Sequence, residues 1–164
     1  MIKDIVRDIL FLQRKAEPAT KDDWQVGRDL VDTLESKLDT CAGLAANMIG
    51  STKAVIVFRQ GNKSVVMYNP EILKTSPAPY DAEEGCLSLD GRRPCKRYDK
   101  IEVKFMDSLF RKKTKTFTGF TAEVIQHEID HLHGILIQSA LNPLAQKSPM
   151  RWCAMQRPVA ARIR

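Results

Sequence analysis

The segment Gln126–Gly134, QHEIDHLHG, carries two histidines four residues apart with a glutamate directly after the first. On an α-helix, positions i and i+4 share a face, with Cβ atoms about 5–6 Å apart. His127 and His131 can then both reach one cation at the usual metal–nitrogen distance of about 2.0–2.1 Å. The pattern predicts a helix over about 120–133 that stops at Gly134, a natural C-cap residue. Glu128 occupies the place where metal hydrolases carry a general base. Asp130 is either a group that orients a ligand histidine or a plain exposed aspartate. A solvated helix face bearing His and Glu is the bland alternative. It is disfavoured because two of the chain's three histidines sit in this motif.

Catalytic sites of this kind use three protein ligands and a water, so a further ligand has to come from elsewhere. His133 points to a different part of the helix. Among the thiols Cys86 stands out, in EEGCLS at 83–88, where Gly85 lets the backbone approach and Leu87 offers an N–H beside the ligand. Spacing alone does not choose it over Cys41 or Cys95.

The remaining pattern is mixed. Thr20 reads as an N-cap followed by acidic Asp22 and Asp23, and apolar residues at helical spacing predict an amphipathic helix over about 21–39. Short apolar runs at 53–58, 64–69 and 101–105 read as strands, with a further candidate at 114–118. TSPAP (75–79) and DGRRP (90–94) read as loops. Helices and strands without regular alternation favour an α+β fold.

At 164 residues the chain is one domain by size. No run approaches transmembrane length, and the N-terminal apolar run Ile9–Leu12 is too short for a signal peptide. The expected address is the cytoplasm, so the four cysteines read as thiols or ligands before disulfides. From His131 onward there is no Asp or Glu, while Lys147, Arg151, Arg157, Arg162 and Arg164 place the basic charge in the tail.

GLAAN at 43–47, EGCLS at 84–88 and QHEIDHLHG at 126–134 resemble, in order and separation, the three motifs of peptide deformylases. The likeness includes LFLQRKAEP near the start and YNPEIL at 68–73. The resemblance implies an α+β metallohydrolase, with small mixed or antiparallel sheets around a central metal-binding helix, that removes the formyl group from N-formyl-methionyl peptides. It implies Cys86, His127 and His131 as ligands of Fe2+, with Zn2+, Ni2+ or Co2+ as substitutes, and Glu128 as general base and acid. It further implies the Leu87 N–H as oxyanion donor, and Gly43, Leu44, Glu84 and Gly85 along the peptide groove. A contact between Arg97 and Glu84 across that groove is a further expectation.

The first motif departs from the family's G-x-G-L-A-A-x-Q. Cys41 replaces the first glycine, and Met48 replaces a glutamine whose amide helps hold the formyl oxygen. A thioether cannot donate that hydrogen bond, so either the site lacks a donor or Asn47 supplies it. A metal-binding paralogue without catalysis, holding formyl-methionyl peptides or a ribosomal partner, is the alternative function. The expected organisation is a catalytic domain over 1–138 and a basic tail over 139–164. That tail docks on ribosomal RNA, forms a helix divided by prolines, or is a disordered extension. No membrane and no DNA partner is expected.

Overall fold

The structure, a computed structural model, describes residues 1–137. The 139–164 segment and its three readings lie outside the described residues. Three helices and seven strands follow one another as α1 (Ile9–Leu12), α2 (Trp24–Glu35), β1 (Gly43–Ala45), β2 (Val55–Gln60), β3 (Lys63–Thr75), β4 (Pro79–Cys86), β5 (Leu89–Tyr98), β6 (Lys100–Met106), β7 (Lys112–Thr118) and α3 (Gly119–Leu132). Five strands form one antiparallel sheet in the order β1-β2-β3-β6-β7, and β4 pairs with β5 in a separate two-stranded sheet. The fold is α+β.

Strand β2 is an apolar run because the helices cover it: α2 packs against β2 and β3, and α3 against β1 and β2. Val55, Ile56, Val57 and Phe58 are all fully buried. Each such side chain contributes about 1.5–3 kcal/mol of transfer free energy. The Phe58 and Phe117 rings meet in a T-shaped pair, with centroids 5.7 Å apart and planes at 86°, tying β2 to β7 across the core. Helix α3 buries Ala122, Ile125, Ile129 and Leu132 against the large sheet. Its remaining surface, with His127 and Glu128, faces β1 and the β4–β5 sheet.

Two glycines set how closely α3 can lie. A Cβ on Gly43 would fall 2.6 Å from Val124 Cγ1 and 2.9 Å from Glu128 Oε1, so the edge strand reaches the helix only without a side chain there. Gly134 ends the helix at φ +70°, and a Cβ there would meet the Gln13 carbonyl oxygen at 2.1 Å. The Ala16 N–H also donates to the Leu132 carbonyl at 2.8 Å. The segment after α1 is thereby fastened under the C-terminal end of α3.

The helix expected over 21–39 begins as a 3-10 turn, Lys21–Asp23, in which the Thr20 N–H donates to Asp23 at 2.7 Å. It ends at Glu35, four residues early, where the Ser36 N–H closes on the Asp32 carbonyl. The expected loop at 90–94 is instead strand. Pro94 pairs with Glu83 and Arg93 with Glu84, and Gly91 takes φ +81° near the hairpin turn. Propensity argues against a strand there, and pairing with β4 overrides it.

Candidate metal centre

Helix α3 and the end of β4 bring three ligand types to one point. Cys86 Sγ and nitrogens of His127 and His131 all lie within 4.8 Å of one another. Cys86 Sγ is 3.3 Å from His131 Nε2, and the two imidazole rings stand 5.1 Å apart at 65°. Around a tetrahedral cation with ordinary metal–sulfur and metal–nitrogen bonds, the sulfur–nitrogen separation is about 3.6 Å. The cluster fits a divalent cation. Cys41 lies outside this group, although its thiol lines the same cleft and donates to the Gly43 carbonyl at 2.8 Å.

The support of the cluster was only partly legible in the sequence. Glu84, expected along the peptide groove, lines the cleft and directs its carboxylate inward, where the expected contact with Arg97 is present. Oε2 lies 2.8 Å from His127 Nδ1, and both oxygens accept from Arg97, at 2.6 Å from Nε and 2.8 Å from Nη2. That contact fixes the His127 ring and turns Nε2 toward Cys86. Asp130 orients no histidine; it accepts from Arg97 Nη1 at 2.6 Å. Arg97 is thus buried between two carboxylates. Desolvation would raise the Glu84 pKa, but Arg97 and His127 outweigh it and hold the carboxyl well below the usual range. His131 has no such partner, and its Nδ1 is buried without a hydrogen bond.

Without a cation the two histidines diverge. Burial disfavours the charged form of both. His127 nevertheless has its pKa raised to about 10 by Cys86 and Glu84. His131 is lowered to about 3 by burial and by the nearby charges of His127 and Arg97. Glu128 is 3 % exposed and its Oε2 has no partner. Burial pushes its carboxyl up to about 7, against the opposing pull of His127. A cation in the cluster would add positive charge and lower that value.

These groups stand at one end of a cleft of about 620 Å³. From His127 and Glu128 the cleft runs along α3 past Val124 and Glu123 to Phe120, with Gly43 on one side and Gly85 to Leu87 on the other. Leu44 is fully buried in the core, which leaves only its main chain on edge strand β1 to face a ligand. Met48, expected to touch substrate, is 1 % exposed, packs in the core and is absent from the cleft wall. Asn47 is equally unsuited as the substitute donor. Its Nδ2 already donates to the carbonyls of Leu12 and His131, at 3.1 and 2.9 Å. An amide nitrogen has two hydrogens, and both are engaged.

Comparison with known proteins agrees over most of the chain. A sequence model of the polypeptide deformylase family matches residues 3–147, which extends past the expected boundary at 138. A peptide deformylase of Clostridium beijerinckii is 57 % identical over 137 residues, covering 84 % of this chain and 100 % of that protein. The crystal structure of a peptide deformylase from Thermotoga maritima superposes with a TM-score of 0.76 at 31 % identity, covering 84 % of this chain and 96 % of that one. A Met-Ala-Ser-bound class I type b peptide deformylase from Acinetobacter baumannii does so with a TM-score of 0.77 at 28 % identity, covering 84 % and 98 %.

Proposed function

The chain belongs to the polypeptide deformylase family, and from that premise we infer that it is a metal-dependent hydrolase. It removes the formyl group from N-formyl-methionyl peptides and releases formate. The observation that carries this reading is the convergence of Cys86, His127 and His131 beside the buried, unpartnered Glu128 at the end of a peptide-sized cleft.

Cys86, His127 and His131 would hold the cation, leaving a coordination position open to the cleft. A bound divalent cation supplies Lewis acidity, acidifying a water and polarising the formyl oxygen. Glu128 takes the proton of the attacking water and returns one to the departing amine. Burial raises its pKa and a bound cation would lower it, which keeps the carboxylate form available to accept the water's proton. The Leu87 N–H, next to the cysteine on the cleft wall, donates to the oxyanion. β1 is an edge strand of the large sheet, so the main chain of Gly43 and Leu44 is placed to pair with an extended peptide. Gly85, whose nearest atoms to an added Cβ are 3.8 Å away, leaves the opposite wall open. The bound Met-Ala-Ser of the Acinetobacter relative supports a methionine-led peptide in this cleft. A protein that only binds such peptides has no use for a buried general base, which favours catalysis.

Fe2+ is the proposed metal, on the family resemblance; a thiolate with two imidazoles also accepts Zn2+, Ni2+ and Co2+. No helix among the described residues is long and apolar enough to cross a membrane, in keeping with action in the cytoplasm on nascent chains. The basic residues beyond 138 support a salt-sensitive contact with ribosomal RNA. Formate release from formyl-Met-Ala, measured on anaerobically purified protein before and after chelation and on reloading with Fe2+ or Zn2+, tests the reading. Activity that survives complete metal removal, or no formate from the loaded protein, overturns it.

A further inference from the structure

Asn47 sits in the 3-10 turn Ala46–Ile49, 4 % exposed, between two segments that meet nowhere near it in sequence. One is the end of α1 with the stretch that follows it, part of LFLQRKAEP; the other is the last turn of α3. Its Nδ2 joins them by donating to the Leu12 and His131 carbonyls, across 35 and 84 residues of chain. The same two segments touch again where Ala16 donates to Leu132 and where Gly134 presses on Gln13. The turn carrying Asn47 is itself pinned by the bond from the Val6 N–H to the Met48 carbonyl at 2.8 Å and by that from the Ser51 N–H to the Ala46 carbonyl at 2.9 Å.

His131 needs such an anchor more than His127 does. The His127 ring is fixed by Glu84, whereas His131 Nδ1 has no hydrogen-bond partner and the residue is 2 % exposed. The position of His131 Nε2 beside Cys86 is therefore set by where its main chain lies. Asn47 Oδ1 is likewise buried without a partner, an acceptor beside the residue whose Nδ1 lacks one.

We infer that Asn47 is a positioning residue for the metal centre: by gripping the Leu12 and His131 carbonyls together, its amide fixes the last turn of α3 so that His131 reaches the cation. This rests on the proposed Cys86–His127–His131 ligand set. It gives the N-terminal stretch a purpose in the site, because Leu12 is the fixed point against which His131 is held.

The test is Co2+ binding, with the thiolate-to-cobalt and d–d absorption bands as spectroscopic readout. Asn47→Ala is compared with Leu12→Ala, which removes a fully buried side chain but leaves the Leu12 carbonyl and the Asn47–His131 bond in place. Both variants should unfold at lower temperature. Only Asn47→Ala should bind Co2+ about 10- to 100-fold more weakly, as expected when the support of a ligand is lost, with altered bands. If Asn47→Ala does not fold, Asn47→Ser, which keeps one donor, gives the same readout with a smaller loss. Wild-type affinity and bands in the folded Asn47 variant, or equal losses in Leu12→Ala, overturn the inference. Absence of a cobalt–thiolate band in the unsubstituted protein would instead overturn the ligand set on which it rests.

Discussion

Arg97→Met isolates the charge that holds the metal site together from below. The guanidinium is buried and engages both oxygens of Glu84, at 2.6 and 2.8 Å, and Asp130 at 2.6 Å. Methionine fills similar length, so the loss is mainly electrostatic. Asp130, with a side chain 32 % exposed, can turn to water. Glu84, at 5 %, cannot, and keeps only His127. Breaking a buried pair from one side typically costs about 3–5 kcal/mol. Unfolding entropy is about 2.1 cal/mol/K per residue. The 137 described residues then give about 0.29 kcal/mol/K, and the midpoint should fall by about 10–17 °C. Adding Glu84→Gln removes the stranded charge, so the double variant should be at least about 2 kcal/mol more stable than the sum of the singles implies. In the unsubstituted protein the depressed Glu84 pKa supplies stability above the ordinary carboxylate range, lost only as pH falls through the lower folded value. In Arg97→Met that pKa rises, so the deficit should shrink toward acid pH. Thermal unfolding of the four proteins in chelator, at two pH values, measures all of this. A single-variant cost below about 1 kcal/mol, or strict additivity, would refute the reasoning.

Glu128→Gln should keep its metal by elemental analysis while kcat falls by about 10²–10⁴-fold; metal loss would make Glu128 a ligand. Cys86→Ala, His127→Ala and His131→Ala should each lose stoichiometric tight binding of metal, and any one that retains it removes that residue from the set. Met48→Gln places an amide in a core position off the cleft wall. It should cost about 1–3 kcal/mol of stability with no gain in kcat on formyl-Met-Ala, and a ten-fold gain would show that the side chain does reach the formyl oxygen. Asp107, which accepts from Leu109 N–H, Arg111 N–H and Arg111 Nε at 2.9 Å each, is held at about 2, chiefly by Arg111. Its loop should stay closed as pH falls past 4 and open through about 2, seen as the titration of the Leu109 and Arg111 amides in NMR.

How much was legible depended on whether the information was local. Helix α3 declares itself because the apolar period that docks Ile125 and Ile129 on the sheet also places His127 and His131 on its other side. β2 is legible as a run of β-branched residues because it is covered on both faces. The β4–β5 sheet is not. Its residues are charged, Gly- and Pro-containing and largely exposed, and only their pairing makes them strands. This unpromising hairpin delivers Cys86, Glu84 and Arg97 to α3. The ligand cysteine could be singled out only through the family resemblance, since 41 residues separate it from His127. The Arg97–Glu84 contact was expected and is present, but the reach of Glu84 to His127 and of Asp130 to Arg97 was not legible, for the same reason. A carboxylate's partner is decided by tertiary approach, and nothing near Asp130 in sequence announces Arg97.

The charges buried around the site explain why the pieces belong together. Arg97 answers Glu84 directly and Asp130 at the margin. Glu128 has no cationic side chain committed to it among the described ion pairs, and its Oε2 has no partner. An isolated buried anion costs several kcal/mol, so burial raises the Glu128 carboxyl to about 7, while Cys86 and Glu84 raise His127 to about 10. A divalent cation would supply positive charge beside Glu128 and take the place of the His127 proton. Metal affinity should therefore rise with pH, and metal loading should stabilise the fold as well as equip it for hydrolysis. Burial without a partner, which lifts the Glu128 carboxyl, is also what a bound cation would relieve.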